Sequence, residues 1–171
     1  MIAKYKIYIL LIIFTLNLIS FILKSNDIEK IQIVKDNYHI GLLKLINYKE
    51  KTALLKEKEA SYYILNFWAS WCAPCIKEMK SLNKLQKNNS DIRVITISQD
   101  KDLSAAIDFF KKNNYKKLEK YYDKDKNILS TFSVRGLPTT FIANKEFKVF
   151  AKVEGIIEWD SEDFLNWLYS N

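Results

Sequence analysis

The chain has 171 residues, the length of a single compact domain, and its 49% hydrophobic residues supply enough apolar material for a core. Two cysteines exclude a disulfide-rich scaffold, and three glycines with two prolines exclude a flexible low-complexity chain. The net charge of +7 comes almost entirely from lysine, because Arg93 and Arg135 are the only arginines. Since nucleic-acid readers depend on the bidentate contacts of arginine, we expect a solvated mixed-charge surface and no nucleic-acid partner.

A hydrophobic segment lies near the N-terminus. Residues 7–23 contain no charged side chain, and they fall slightly short of a full hydrocarbon core at about 1.5 Å per residue. The segment ends without the small-residue pattern of a signal-peptidase site and without a lipid-accepting cysteine. We therefore expect residues 7–23 to be a transmembrane anchor or uncleaved signal. Lysines flank both ends of this segment and give little indication of its orientation, so the assignment of residues 1–6 as a cytoplasmic tail depends on the chemistry described below. Residues 24–171 would form the folded domain.

The first half of this domain alternates between strand and helix patterns. Residues 40–46 form an apolar patch that predicts a short strand or hairpin, and residues 62–68 are typical of a central strand buried on both faces. Apolar residues then recur at helical spacing from Ile76 through Met79 and Leu82 to Leu85. Residues 92–98 alternate in character and predict a second strand.

The second half continues the alternation and then closes it. Leu103, Ala106, Ile107 and Phe110 have the spacing of an amphipathic helix, and residues 139–143 and 147–153 predict a terminal hairpin. Asp160 and Ser161 can cap a last helix, whose inner face would comprise Phe164, Trp167 and Leu168. This order of elements indicates a three-layer α/β domain.

Both cysteines lie between the strongest strand and the strongest helix, as Cys72 and Cys75. A CxxC pair within an α/β pattern is a redox signature. Sulfurs three residues apart in a first helical turn are close enough to bridge, and the helix N-terminus offers unpaired N–H groups and positive potential to a thiolate. We therefore expect Cys72 to have a lowered pKa and to attack, and Cys75 to be the resolving thiol. Pro74 lies in the first turn, where proline costs a helix least.

Other uses of the cysteine pair fit the sequence less well. Tetrahedral zinc needs four ligands, whereas the chain offers two cysteines and His39, so no metal is expected. Haem attachment requires a histidine directly after the second cysteine, where Ile76 stands. A buried structural disulfide remains an alternative interpretation, although a bridge closing so short a loop restrains little chain entropy.

Two motifs carry a resemblance to a known family. The sequence NFWASWCAPCIKEM, residues 66–79, resembles the active-site strand and helix of the membrane-anchored thioredoxin-like proteins, the TlpA/ResA/DsbE group of thiol:disulfide oxidoreductases. The sequence VRGLPTTFI, residues 134–142, is similar to the cis-proline segment of that family, and Gly155 matches a glycine after its terminal hairpin. The likeness covers about residues 27–171.

The resemblance implies a thioredoxin fold, with a central mixed sheet flanked by helices. The 63-residue interval from Cys75 to Pro138 is longer than a bare thioredoxin domain needs, so the resemblance implies an αβ insertion that includes residues 103–122. Lys80 departs from the pattern, because family members often carry a proline there, and a helix kink is therefore not implied. The hairpin turn at residues 144–146 also lacks the usual glycine.

The resemblance also implies roles for individual residues. Leu137–Pro138 would be a cis peptide bond facing the sulfurs, with the Leu137 backbone free to pair with a substrate strand. Glu78 matches a glutamate that follows the cysteine pair, and it would exchange protons with Cys75 or tune the acidity of the pair; an acid near a helix N-terminus is also common without such a role. The substrate-binding residues would be Trp71, Ala73, Pro74, Leu137 and Pro138. A second tryptophan, Trp68, is expected in the core.

The expected function is that of a thiol:disulfide oxidoreductase without a cofactor, tethered by a single span on the extracytoplasmic side of the cytoplasmic, or inner, membrane. It would reduce disulfides of partner proteins by CxxC dithiol exchange and be recharged by a membrane thiol donor. The family implies apocytochrome c or the copper-site assembly machinery of cytochrome oxidase as substrates. A copper-related assembly factor is an alternative, but no histidine follows His39 as a third ligand. A thiol peroxidase and a binding module with a structural bridge are two further alternatives.

Overall fold

The computed structural model describes residues 8, 9, 12, 15, 27–35 and 38–171, with only the backbone of Glu57. The predicted tail and most of the predicted anchor lie outside these residues. The four described positions of that segment, residues 8, 9, 12 and 15, are helical. Among the described residues, no helix has the length and apolar character needed to cross a membrane.

Eight strands form one sheet in the described part of the chain. They are β1 (Ile31–Ile33), β2 (Lys44–Asn47), β3 (Thr52–Leu54), β4 (Tyr62–Trp68), β5 (Ile92–Ser98), β6 (Glu119–Tyr122), β7 (Thr139–Asn144) and β8 (Val149–Glu154). The helices are α1 (Ala73–Asn88), α2 (Leu103–Asn113), α3 (Asn127–Thr131) and α4 (Glu162–Ser170). Short 3₁₀ helices span Asp27–Lys30 and Leu55–Glu57.

The strand order is β1-β8-β7-β4-β5-β6-β2-β3, which is the central mixed sheet of a thioredoxin fold. The strands β4, β5 and β6 are parallel, whereas the other neighbouring strands pair antiparallel. The cysteine-bearing helix α1 directly follows β4, near the middle of the sheet. The predicted hairpins appear as β2–β3 and β7–β8, and the predicted insertion appears as α2 and β6.

Two hydrophobic clusters lie on opposite faces of the sheet, because successive strand residues point to opposite sides. Ile64 and Trp68 of β4 belong to the cluster covered by α1, α2 and α4. Tyr63 and Leu65 belong to the cluster covered by α3 and by residues 38–60. The prediction that β4 is buried on both faces is therefore confirmed, as is the three-layer arrangement.

Two details differ from the sequence expectation. The predicted alternation of β5 does not separate an exposed face from a buried one, because β4 and β6 flank this strand and every one of its residues is buried. Ile76 shares the helical spacing of the apolar residues of α1, yet it is 38% exposed. The buried face of this helix instead begins at Cys75 and continues through Met79 and Leu82, so Ile76 lies beside that face rather than on it.

Candidate active site

The two cysteines are joined in a disulfide at the start of α1. The S–S distance is 2.05 Å and the Cα–Cα distance is 5.3 Å. Cys72 is the N-cap residue, and its Sγ accepts a hydrogen bond of 3.3 Å from the backbone N–H of Cys75. The sulfur of Cys72 thus occupies the position where the dipole of a helix favours negative charge. The predicted bridge is confirmed, whereas the lowered pKa of the Cys72 thiol stays a prediction because a disulfide does not titrate.

Access to the disulfide favours the first cysteine. Cys72 is 5% exposed and Cys75 is completely buried, so an external sulfur meets Cys72 first. Trp71 is 69% exposed and stands directly before this cysteine in the chain. Ala73 and Pro74 are exposed as well. The residues predicted to bind the substrate on this side therefore present an apolar surface next to the reactive bond.

A cis peptide bond joins Leu137 and Pro138, as the resemblance implies. Pro138 is buried, and its carbonyl accepts a hydrogen bond of 2.9 Å from the N–H of Gly155. Gly155 has a φ of 94°, a backbone conformation that favours glycine. Leu137 packs against the hydrophobic cluster that contains both cysteines. Within the described residues its backbone makes no hydrogen bond, so its polar groups are available to an incoming extended chain.

The third predicted catalytic residue, Glu78, is a buried carboxyl group in α1 and is 3% exposed. Its Oε1 accepts a hydrogen bond of 2.7 Å from Nδ2 of Asn66, and its Oε2 accepts one of 2.8 Å from Nε1 of Trp159. Burial raises the pKa of Glu78 from 4.5 to about 7, and the two hydrogen bonds partly oppose this rise. A carboxyl with such a pKa can accept or release a proton at neutral pH.

A cavity of about 220 Å³ borders Glu78. Its lining includes Lys77 of α1, Asp27 and Lys30 of the first 3₁₀ helix, and Glu158 from the segment before α4. Glu78 is therefore hydrogen-bonded inside the protein and also lines a cavity together with charged side chains.

Sequence reasoning missed the residues that hold this site in place. Asn66 donates to Thr140 as well as to Glu78, and the only local signal is that Asn66 is polar within an apolar strand. Trp159 has no local signal, because it lies 81 residues from its hydrogen-bond acceptor. Asp100 was also missed, although it is a carboxylate at the end of a strand next to the active-site helix.

Asp100 holds the loop that leads into the disulfide. Its two carboxylate oxygens accept hydrogen bonds from the Ser70 backbone N–H at 3.0 and 3.1 Å, and one of them accepts a bond of 2.7 Å from the Ser70 hydroxyl. The hydroxyl of Ser98 donates to the other oxygen at 2.7 Å. Because Asp100 is buried, these bonds fix the loop two residues before Cys72.

Trp68 and His39 lie away from the reactive surface. Trp68 is completely buried and packs against Phe109 and Phe110, which confirms its predicted place in the core. The backbone of His39 forms an isolated antiparallel β-bridge with Lys148, and its ring packs against the ring of Phe147 beside the β7–β8 turn. In the described part of the chain, no three His, Cys, Asp or Glu side chains converge in a way that could hold a metal ion.

Comparisons with known proteins agree with this geometry. A family model described as thioredoxin-like matches residues 60–149. The chain is 35% identical over 130 residues to a thiol-disulfide oxidoreductase ResA of Bacillus cereus, and the match covers 75% of this chain and 73% of that protein.

Solved structures share the fold. The exposed lipoprotein thioredoxin of Streptococcus pneumoniae strain TIGR4 has a TM-score of 0.64 and 25% identity, covering 75% of this chain and 98% of that one. A DsbF homologue from Corynebacterium diphtheriae has a TM-score of 0.68 at 19% identity, covering 87% of this chain and 98% of that one. With its disulfide, cis-proline and buried glutamate in place, the chain belongs to the thioredoxin-like family, as a thiol:disulfide oxidoreductase of the ResA/DsbE group.

Proposed function

We propose that this oxidoreductase works as a reductase of partner-protein disulfides on the extracytoplasmic side of the cytoplasmic membrane, in the assembly of cytochrome c or of cytochrome oxidase. The observation that carries the reductase chemistry is the Cys72–Cys75 bridge at the start of α1, with Glu78 buried one turn further along the same helix. Residues 7–23 would anchor the chain, and a membrane thiol donor would return the bridge to the dithiol.

The reaction begins from the reduced dithiol. The Cys72 thiolate attacks one sulfur of the partner disulfide, forming a mixed disulfide and releasing one partner thiolate. Cys75 then loses its proton, and its sulfur attacks that of Cys72. The mixed disulfide breaks, the second partner thiolate leaves and the Cys72–Cys75 bond forms. Two electrons pass from this chain to the partner, and this transfer needs no cofactor.

Glu78 is the proposed acceptor of the proton that Cys75 loses. It follows Cys75 by three residues on the same helix, so the two side chains occupy neighbouring positions. Its pKa of about 7 leaves a useful fraction of the carboxylate ionised at neutral pH, while the protonated form is also accessible. The same group would return the proton to Cys75 when the membrane thiol donor reduces the disulfide.

The partner would lie across the surface formed by Trp71 and the cis-proline segment. An extended chain can add to the free backbone groups of Leu137 while its cysteine approaches Cys72. The exposed ring of Trp71 supplies apolar area close to the reactive sulfur. Recognition of this type reads mostly backbone and local apolar contact, which suits a substrate that presents an unfolded cysteine-containing segment.

Trapping tests the exchange reaction and identifies the partner. In the variant Cys75→Ala the mixed disulfide has no resolving thiol, so partners should accumulate on Cys72 as adducts that a reductant releases. The matched control is the double variant C72A/C75A, which should hold nothing. Apocytochrome c or a copper-site assembly protein among the adducts would support the proposed pathway. An absence of adducts in the membrane fraction would contradict the reductase mechanism.

The proposed location is tested separately with the same variant. In intact cells, a maleimide that cannot cross the cytoplasmic membrane should label Cys72 of the Cys75→Ala variant after mild reduction. The double variant C72A/C75A is again the control, because these two are the only cysteines of the chain. Labelling that appears only after the cells are lysed would place the domain in the cytoplasm and contradict the proposal.

A further inference from the structure

Each oxygen of the Glu78 carboxyl group has its own N–H donor. Asn66 of β4 donates to Oε1 and Trp159, which precedes α4, donates to Oε2. Asn66 and Trp159 are both completely buried. An indole N–H can only donate, and a carbonyl oxygen accepts more strongly than the hydroxyl oxygen of a carboxylic acid, so the bond from Trp159 favours Oε2 as the carbonyl oxygen of protonated Glu78. The proton is then favoured at Oε1, on the side of Asn66.

The amide of Asn66 has a spare acceptor at this place. Its Nδ2 also donates to Oγ1 of Thr140 at 2.9 Å, whereas its Oδ1 is buried and has no hydrogen-bond partner among the described residues. A half-turn of the amide exchanges these two atoms, since they have nearly the same shape. Oδ1 then accepts from protonated Oε1 of Glu78 and from the hydroxyl of Thr140. Asn66 can thus bind Glu78 in both of its protonation states.

We propose that Trp159 and Asn66 are positioning residues for proton exchange at Glu78. Trp159 favours Oε2 as the carbonyl oxygen, and Asn66 turns its amide to match the state of Oε1. This inference rests on the proposed function, in which Glu78 exchanges the proton of Cys75. It adds that two residues from distant parts of the chain decide which oxygen carries the proton and how tightly it is held.

Asn66 and Trp159 are the hydrogen-bond donors to the Glu78 carboxyl group. The charged side chains nearby line the adjoining cavity, and they are Lys77, Asp27, Lys30 and Glu158. Nζ of Lys30 donates to Asp27 at 2.8 Å and to the carbonyl of Ile156 at 3.0 Å, so its charge is already engaged. The pKa of Glu158 is itself raised, first by its hydrogen bond with Asp160. Glu158 must therefore be tested as a second titrating group.

The oxidised protein gives a direct test, because no thiol titrates in it. The chain has four tryptophans, so the ¹⁵N–¹H spectrum of the full chain in nonionic detergent contains few indole signals, and that of Trp159 is assigned by its loss in Trp159→Phe. We expect this signal to shift with a midpoint near pH 7 and to stop shifting in Glu78→Gln. The variants Glu158→Gln and His39→Gln should retain the shift. A Trp159 signal that is static between pH 5 and 9, or that moves equally in Glu78→Gln, would overturn the inference.

The reaction gives a second readout. Removing the Trp159 donor should weaken the ionised form of Glu78 and move the pH profile of insulin reduction upward by about one unit, a tenfold change in proton affinity. Asn66→Ala should move the profile by less, because Asn66 can bind Glu78 in both of its protonation states. Trp167→Phe is the matched control, because Trp167 stacks on Phe150 and Phe164. The Trp159→Phe change should have no further effect on the profile in a Glu78→Gln background.

The possible failures are distinguishable. An unshifted profile in a folded Trp159→Phe variant would contradict the role of Trp159, whatever the partner of the enzyme is. A wild-type chain that does not reduce insulin at any pH would instead contradict the proposed reductase function. The indole titration still decides the positioning role in that case, because it uses the oxidised protein and needs no substrate.

Discussion

Replacing Glu78 by glutamine is expected to remove a pH dependence from the stability of the oxidised protein. The pKa of Glu78 is about 7 in the folded chain, against an ordinary value of 4.5. The folded state therefore binds the proton more tightly than the unfolded state does. The resulting stabilisation is complete below pH 4.5, decreases between pH 4.5 and 7, and is absent above that range.

The size of the effect follows from the difference between the two pKa values. Each pKa unit corresponds to about 1.36 kcal/mol, so the difference between 4.5 and about 7 is worth about 3 kcal/mol of unfolding free energy. This conversion suits Glu78 because its side chain is almost fully buried and little screened by water. Glutamine has nearly the same shape and does not titrate, so the Glu78→Gln variant lacks this contribution at every pH.

Urea unfolding of both oxidised proteins, in nonionic detergent at several pH values from 4.5 to 8.5, measures the contribution. The unfolding free energy of the wild type minus that of Glu78→Gln should decrease by about 3 kcal/mol across the range. The other ionisable groups are present in both proteins, so their contributions cancel in the difference. A difference that stays flat would show that Glu78 ionises normally, and the proton-exchange role would lose its physical basis.

Five further substitutions test the active-site loop, a buried ion pair and the exposed tryptophan. Asp100→Ala should lower the unfolding free energy in the same urea assay by about 3 kcal/mol, because it removes a buried carboxylate that holds the active-site loop. Asp102→Ala is the comparison, and it should cost about 1 kcal/mol because it removes only an exposed helix cap. Glu119→Gln should cost about 3 kcal/mol, since it leaves the guanidinium of Arg93 buried without its bidentate partner, and Arg93→Met should cost a similar amount. Trp71→Ala should leave the unfolding free energy within about 0.5 kcal/mol of wild type and lower kcat/KM for insulin reduction about tenfold, because its ring is exposed beside the disulfide; an unchanged kcat/KM would remove Trp71 from the binding surface.

The order and type of the main elements could be predicted because each depends on a local pattern. The apolar run of β4, the helical spacing of α2 and the Ser161 cap of α4 all appear where the sequence indicates. The errors occur where tertiary packing overrides such a pattern. Helical spacing alone did not place Ile76, because the register of the inner face of α1 is set by contact with the sheet.

In the active site, too, some residues could be predicted from the sequence and others could not. Cys72 and Cys75 could be placed from their spacing before a helix, whereas Glu78 entered the site through the family resemblance. The cis bond before Pro138 came from family resemblance, since nothing in its local sequence requires it. Trp159 and Thr140 could not be predicted, because they reach Glu78 and Asn66 only when α4 and β7 pack beside β4. Hydrogen bonds between distant segments leave no periodic signal in a sequence.

Ionised Glu78 is expected to lower the unfolding free energy while it speeds the resolution of the mixed disulfide, and the variant Glu78→Gln separates these two effects. In Glu78→Gln the side-chain oxygen can accept from Trp159, while the amide nitrogen can donate to Oδ1 of a turned Asn66, so both polar atoms of the new side chain find a partner. Above pH 7 this variant is therefore expected to be more stable than the wild type, by up to about 3 kcal/mol, because no charge is buried. It should also resolve the mixed disulfide about a hundredfold more slowly, because Cys75 has lost its proton acceptor. Urea unfolding and single-turnover insulin reduction at pH 8 measure both quantities on one preparation. A variant that is less stable and equally fast would mean that the carboxylate serves the fold, and not the exchange of protons with Cys75.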